Sequence, residues 1–548
     1  MEPTRPGTRS TRFVNGSVFT GDHTKPWVDA VVIDGSRVGL AGGRAEVNDY
    51  APHATEVDLE GRTLLPGLID AHNHFLATGE SLAHISLQQL GRTTKSKLLA
   101  RVRQAATELP SGEAIALAGL DPAKLTDGPP TRWELDVAAP HHRVVAYHIS
   151  GHGVLVNSPV FAASGLSDFA ADPAGGSFSR DANGRLSGFC FDAAMQLVVP
   201  TAVDIGSHGP NFHVQSSPEE LEQAVLRAQR AFVAAGLTTV CDAQVTAREM
   251  STYQTVEAAG SLQLRTVCMP LSHQLSAFDD IGVTGTLGND RLRIGPMKFY
   301  ADGTLIGHTA LCSHPYGPNG DNGYLLRPAE ALSADLVRAY EAGWRVGVHV
   351  QGDQAIDVVL DALGQAATQT ARPDLRPRLE HAGLPTAEQI RRIANLGAVT
   401  VNQPSYLYEM GDQFLADFGD VAHRLQPLRD ELDVGVRVVI SSDSDVASYR
   451  PLNTLAAAMQ RRTMTGKPIG AHHALTLDEA LFAHTIEAAY AVGWEHFIGS
   501  LDRGKAADLT ILDGDARAVD GAELRNLEVW GTIIDGVTVH GPEDGLVG

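Results

Sequence analysis

Along the middle of the chain, apolar residues recur at helical spacing, stop at a glycine, and give way to a short continuous apolar run. Residues 219–235 follow this pattern, stop at Gly236 and lead into Leu237-Thr-Thr-Val-Cys-Asp242. Residues 334–342 stop at Gly343 ahead of Val346-Gly-Val-His349, and residues 386–396 stop at Gly397 ahead of Val399-Thr-Val-Asn402. Residues 427–434 stop at Gly435 ahead of Val436-Arg-Val-Val-Ile440. Helix, C-terminal glycine and buried strand therefore alternate, which predicts a parallel sheet covered by helices, an α/β fold. No glycine-rich phosphate loop follows a first strand, and polar residues gather at the C-terminal ends of the strands. That placement favours a (β/α)8 TIM barrel over an open sheet, because such barrels build their sites there.

The two ends have a different texture. Residues 1–65 contain short β-like pieces, Arg12-Phe-Val, Ala30-Val-Val-Ile and Arg37-Val-Gly-Leu, with Asn15-Gly16 and Asp34-Gly35 as hairpin-turn signals. Residues 499–548 continue in the same manner through Leu509-Thr-Ile-Leu512 and Thr532-Ile-Ile. Neither end is long enough for a core of its own, so the two are expected to pair into one β domain around a barrel spanning 66–498. That central span exceeds the roughly 250 residues of a plain barrel. The excess is assigned to about 115–215, a Gly-, Pro-, Ser- and Asp-rich stretch without helix–strand rhythm, read as a lid insertion.

The candidate chemistry sits at strand ends. Gly67-Leu-Ile reads as a buried strand that ends in His72-Asn73-His74. Side chains two apart on a strand point the same way, so both imidazoles can reach one point, an arrangement suited to a borderline divalent ion such as zinc. Lys298, His349, His381 and Asp443 likewise each terminate an apolar run. Four imidazoles, one lysine and one aspartate make a two-metal set if Lys298 is modified. A neutral, buried lysine amine can take up carbon dioxide to give an anionic carbamate that bridges two cations. Read singly, a strand-end lysine reaches for solvent and Asp443 caps a turn or helix; it is the conjunction that points to a metal.

Composition narrows the function. The chain has 548 residues, 43% hydrophobic and 20% charged, with a mean hydropathy of −0.08. No apolar run approaches the roughly 18 residues needed for a membrane span, and the N-terminus lacks the apolar stretch of a secretory signal. A net charge of −22 argues against nucleic-acid binding. Cys190, Cys241, Cys268 and Cys312 are scattered, without ligand spacing, which fits a reduced cytoplasmic setting.

The chain resembles the metal-dependent amidohydrolase superfamily, and within it the YtcJ-like (amidohydrolase 3) branch. The resemblance rests on Asn15-Gly-Ser-Val-Phe-Thr20, Leu65-Pro-Gly-Leu-Ile-Asp-Ala-His-Asn-His74, Met297-Lys-Phe-Tyr-Ala-Asp-Gly303 and His349-Val-Gln-Gly-Asp353. It continues through Glu380-His381, Gln403-Pro404, Ser442-Asp443 and Gly504-Lys-Ala-Ala-Asp508. Two departures are Gln351, where small or apolar residues are common, and Ser442-Asp-Ser-Asp-Val446 in place of Ser-Asp-Ala-Pro. The second departure makes Asp445 a competitor for the role of Asp443. The resemblance implies a distorted (β/α)8 barrel with a β-sandwich domain formed from both termini. It also implies two divalent metals, taken as zinc, held by His72, His74, Lys298, His349, His381 and Asp443, with Lys298 carboxylated.

The expected reaction is hydrolysis of an amide-type C–N bond in a small-molecule substrate, with Asp443 as general base. Hydrolysis of esters, lactones or carbamates, and one-metal deamination, remain open, as does a non-catalytic scaffold, although that would be expected to have lost ligands. His152, Arg180, Asp302 and Gln403 are candidate substrate contacts, Glu380 is a candidate support for a ligand, and Trp133 and Phe178 are candidate pocket walls. By analogy with large barrels, self-association as a homodimer is expected.

Overall fold

The computed structural model describes residues 10–547, apart from 88–89, 91–92, 150, 152, 174–175, 317–319, 321 and 371–374. It divides into two compact units, Met1–Phe75 with Ala228–Gly548, and Leu76–Arg227.

The first unit is organised around two parallel sheets. One aligns Leu292–Ile294, Arg265–Pro270, Leu237–Val245 and Leu68–Asn73. The other aligns Met297–Tyr300, Val346–Val350, Arg378–His381, Val399–Asn402 and Arg437–Ile440. A parallel bridge between Leu271 and Lys298 joins the sheets at one side. On the other side Asp443 N donates to His72 O at 2.9 Å and His74 N to Ser444 O at 2.6 Å. The strands are buried almost throughout, as expected where both faces of a parallel sheet are covered.

Helices stand where the four glycine-stopped stretches predict them, and others, such as Asp353–Gln369, carry no such mark. Ala329–Ala342 ends on Gly343 in the left-handed region (φ 94°), which lets the chain reverse directly into Val346–Val350. Thr386 and Gln389 form a reciprocal cap that starts Ala387–Asn395. Leu336, Ile390 and Ile393 from these helices, with Val359 and Leu363 of the helix Asp353–Gln369, share one core with Phe299, Val348 and Leu379 of the sheet. Each such fully buried aliphatic side chain stabilises the fold by roughly 1.5–3 kcal/mol.

Strands from both ends of the chain share sheets in the same unit. Thr63–Pro66 pairs antiparallel with Leu509–Leu512 and parallel with Ser17–Phe19, and Ser10–Val14 lies between Ala30–Asp34 and Thr55–Asp58. Phe13 and Ile33 of the second sheet meet Val18, Leu64, Leu509, Ile511 and Ile533 of the first in one core. Asp34 pairs with Arg37, so Asp34-Gly35 does open a tight hairpin. Asn15-Gly16 does not close a hairpin. The strands on either side belong to different sheets, and the pair turns the chain from one to the other. Gly16 is required there, because a Cβ would stand 2.5 Å from Arg62 O.

The unit Leu76–Arg227 encloses the stretch assigned to an insertion and is wider than it. Its six-stranded sheet runs Gly176–Arg180, Leu186–Asp192, Gly153–Val156, Arg143–His148, Ala114–Leu120 and Ile85–Ser86. Helices Lys95–Glu108 and Arg132–Ala138 cover part of it through Leu98, Val102 and Leu135 packed on Leu117 and Val144. A helix–strand rhythm is therefore present. Its seven-residue helix is too short to show periodicity in the sequence.

Candidate metal centre

His72 occupies the C-terminal end of Leu68–Asn73 and His74 follows it directly. His381 closes Arg378–His381, His349 sits one residue from the end of Val346–Val350, and Lys298 is the second residue of Met297–Tyr300. Asp443 follows Arg437–Ile440. Parallel strands place these ends on one side of the sheet, and four of the side chains meet closely. Ligand atoms of His72, His381 and Asp443 all lie within 4.8 Å of one another. Asp443 Oδ1 stands 3.1 Å from His74 Nε2 and 3.5 Å from His72 Nε2. The His349 ring centre lies 4.5 Å from that of His381. All six residues are buried. His381 and Asp443 both hold left-handed backbone (φ 75° and 52°), strain of the kind retained where surrounding structure demands a particular side-chain direction.

Each of three imidazoles is anchored at one nitrogen. His72 Nδ1 donates to Glu380 Oε2 at 2.6 Å, His381 Nδ1 to Gln403 Oε1 at 2.7 Å, and His349 Nε2 to Gly303 O at 2.9 Å. These partners are all acceptors, so the lone pair is left on Nε2 of His72 and His381 and on Nδ1 of His349. Burial, followed by the charge of Lys298, lowers His72 to about 3. Burial also lowers His381, and takes His349 well below the ordinary imidazole value. His74 is pushed down by burial but raised overall by Asp443. Burial opposes ionisation of Asp443, yet His72, His74 and His381 hold it well below the usual carboxylate range.

Lys298 is fully buried, with Nζ 4.6 Å above the Tyr300 ring and no hydrogen-bond partner among the described residues. Burial lowers its pKa to about 8, so the amine loses its proton far more readily than an exposed lysine does. The buried Nε2 of His72 also has no hydrogen-bond partner among the described residues. Orphaned donors of this kind beside an ionised carboxylate and neutral imidazoles are a donor set that fits a divalent cation.

The remaining predicted residues fall in different places. Gln403 is fully buried, and besides accepting from His381 it donates to Val401 O and Ser441 Oγ, so it holds a histidine. Asp302 accepts from the backbone N–H groups of Leu311, Gln351 and Gly352, which ties two loops together. Burial raises its carboxyl to about 7. Arg180 is exposed and paired with Asp172 at 2.7 Å in the other unit. There, Trp133 lies under the guanidinium groups of Arg132 and Arg185, and Phe178 packs against Phe161. His152 lies outside the described residues. Asp445 is exposed, whereas Asp443 is buried among the imidazoles.

Two residues escaped the sequence reading. Arg378 grips both oxygens of Glu380, Nε to Oε1 at 2.7 Å and Nη2 to Oε2 at 2.9 Å, and also binds Ala71 O at 2.7 Å. Alternation on the strand puts Arg378 and Glu380 on one face, a signal that was available. Tyr406 donates its hydroxyl to Asp443 Oδ2; it lies on the helix Pro404–Glu409 with no motif to mark it.

Residues 55–540 match the family model described as "Amidohydrolase family". The chain belongs to the amidohydrolase family. Among relatives of this amidohydrolase, an N-substituted formamide deformylase of Arthrobacter pascens is 30% identical over 96% of this chain and 98% of its own length. The putative amidohydrolase YtcJ of Bacillus subtilis (strain 168) is 28% identical over the same shares. Of solved structures, an uncharacterized metal-dependent hydrolase from Pyrococcus horikoshii OT3 superposes with a TM-score of 0.75 at 25% identity, over 94% of this chain and 99% of that one. This amidohydrolase is accordingly an enzyme, a metal-dependent hydrolase of carbon–nitrogen bonds other than peptide bonds. Among its described residues no helix is long and apolar enough to cross a membrane.

Proposed function

We propose that this amidohydrolase cleaves the C–N bond of a small-molecule amide, with N-substituted formamides as the first class to test, and with Asp443 as the group that moves the proton. The relative from Arthrobacter pascens supports the formamide class. The observation that carries the reading is the meeting of His72, His381 and Asp443, with the spare ring nitrogens anchored elsewhere. In this reading the two parallel sheets form one eight-stranded barrel, with Leu292–Ile294 as a side branch, and the terminal strands form a sandwich beside it. The bridge at Lys298 and the bonds donated by the backbone N–H groups of Asp443 and His74 support the closure.

His72, His74, Lys298, His349, His381 and Asp443 would hold the divalent metal, taken as two zinc ions, with Lys298 as an anionic carbamate formed when its neutral amine adds to carbon dioxide and releases a proton. Bound there, the metal would supply polarisation of a carbonyl and a lowered pKa for water. Asp443 takes the proton of the attacking water at Oδ1, the oxygen that faces the imidazoles, and returns it to the departing nitrogen. Tyr406 holds Oδ2 meanwhile. The test is Asp443→Asn in protein of measured metal content. Turnover should fall by about 10²–10⁴-fold with most metal retained, and turnover near the parent level overturns the assignment. Two equivalents of metal support the two-metal reading, whereas one equivalent with unmodified Lys298 favours a one-metal deaminase.

A further inference from the structure

Tyr300 is 4% exposed and closes the strand Met297–Tyr300. Alternation turns Met297 and Phe299 into the helix-covered core and leaves Lys298 and Tyr300 together on the opposite face. The register sets Tyr300 directly across from His349, and Lys298 across from Gly347, which has no side chain to place beside it.

The Tyr300 ring meets two of the proposed ligands. Its face stacks on the His349 imidazole, with ring centres 4.9 Å apart and planes inclined by 28°. Lys298 Nζ lies 4.6 Å from the ring centre. His349 is bonded through Nε2 to Gly303 O. One hydrogen bond fixes the distance of an imidazole but lets the ring turn about that bond, so a wall against its face is what sets the direction of Nδ1. Lys298 Nζ has no hydrogen-bond partner among the described residues, so the ring face rather than a bond directs the amine.

The ring is itself held. The Tyr300 hydroxyl donates to Gln244 Oε1 at 2.5 Å, and Gln244 is 1% exposed. Gln244 lies on Leu237–Val245, a strand of the other parallel sheet. Its backbone N–H donates to Asp242 Oδ1 at 3.2 Å, and Asp242 accepts in turn from the Tyr253 hydroxyl of the helix Ala247–Ala258. A buried polar chain of this kind fixes one arrangement of its members. The strand Leu237–Val245 supplies none of the six proposed ligands, yet its end reaches the centre through the bond to Tyr300.

We infer that Tyr300 is a positioning residue of the metal centre, its ring pinned by Gln244 so that the His349 imidazole and the Lys298 amine are aimed together. The inference rests on the metal-centre reading and deepens it, by naming what orients the two ligands on the adjacent strands Met297–Tyr300 and Val346–Val350. A ring that only filled space would not need its hydroxyl, so Tyr300→Phe separates the two roles.

The test uses the full-length protein, stripped of metal and reloaded with cobalt(II) alone. Affinity is read by competition with a chelator, ligand geometry by the visible absorption bands of the cobalt, and folding by the melt of the metal-free protein. Tyr300→Phe and Gln244→Met should each weaken cobalt binding by about 10-fold. The double variant should also stand about 10-fold below the parent, because either change alone already frees the ring. Tyr300→Leu removes the ring itself, and it should cost about 100-fold and displace the visible bands. If the leucine variant lacks a cooperative melt, the two single variants and their combination decide the matter. Parent-like affinity in Tyr300→Phe, or a double variant about 100-fold below the parent, overturns the inference. A parent that takes up no cobalt removes the metal reading and this inference with it. A parent that binds cobalt beside variants of unchanged affinity and bands removes only the role of Tyr300.

Discussion

Glu380 shows how a residue that touches no substrate decides what a ligand can do. Its carboxylate accepts from His72 Nδ1 and is clamped by Arg378. Burial raises its pKa, but the charges of Arg378 and His72 outweigh that and hold it far below the ordinary carboxylate range. A permanent anion on Nδ1 fixes the tautomer and makes Nε2 a stronger donor. Glu380→Gln keeps an oxygen for His72 but removes the charge, and it leaves Arg378 facing a neutral amide. Metal affinity should fall by about 10–100-fold, read by competition with a chelator while a melt confirms the fold. Unchanged affinity in folded protein would remove Glu380 from this role. His72, His381 and Asp443, which the structure brings together, were legible as candidates, since each ends an apolar run. Arg378 was not recognised, because an arginine inside a strand usually faces solvent, and only the buried carboxylate two residues on makes it a core residue. Gln403 was read as a candidate substrate contact, and its place as the acceptor for His381 was not legible, because that partner is set by where two strands meet.

At the scale of elements, glycine stops and apolar runs were enough to place four helices and the strands that follow them, because a left-handed cap and a doubly covered strand leave strong local marks. Contacts between elements leave none. The helix Leu428–Asp433 sets Glu431 against the strand Val399–Asn402, where Glu431 Oε2 accepts from Thr400 Oγ1 at 2.8 Å and Asn402 Nδ2 at 3.1 Å. Burial raises this carboxyl from its ordinary 4.5 to about 7 despite those bonds. An acid whose pKa is higher when folded binds its proton more tightly in the folded state. Its contribution is complete below about pH 4.5, declines as pH rises, and is lost above about pH 7, a difference of about 3 kcal/mol. Glu431→Gln keeps an acceptor for both donors and never ionises. The variant should match the parent to within about 1 kcal/mol at pH 5 and exceed it by about 3 kcal/mol at pH 8.5, read by denaturant unfolding at the two pH values. A gap that does not grow with pH would show that Glu431 is not the group responsible.

For the molecule as a whole, the similar texture of its two ends was the clue that they belong together, and Thr63–Pro66 does pair with Leu509–Leu512. What the texture could not reveal is how firmly the C-terminal strands are joined to the parallel sheets. Arg265, buried in the strand Arg265–Pro270, donates to Asp508 Oδ2 at 2.6 Å and to Oδ1 at 3.0 Å, and it also pairs with Asp535. Removing the acidic partners would leave a buried guanidinium uncompensated, which costs about 3–5 kcal/mol. The same cut would strip Leu509, Ile511 and Ile533 from the core they share with Phe13 and Leu64, and would expose the Thr63–Pro66 edge that Leu509–Leu512 covers. Those losses together exceed the roughly 5–15 kcal/mol by which a folded domain is stable. A chain ending at residue 498 keeps every proposed metal ligand in its sequence, yet it should show no cooperative melt and bind no stoichiometric metal. Should it melt cooperatively and retain metal, the parallel sheets would be self-sufficient and the terminal strands an attachment.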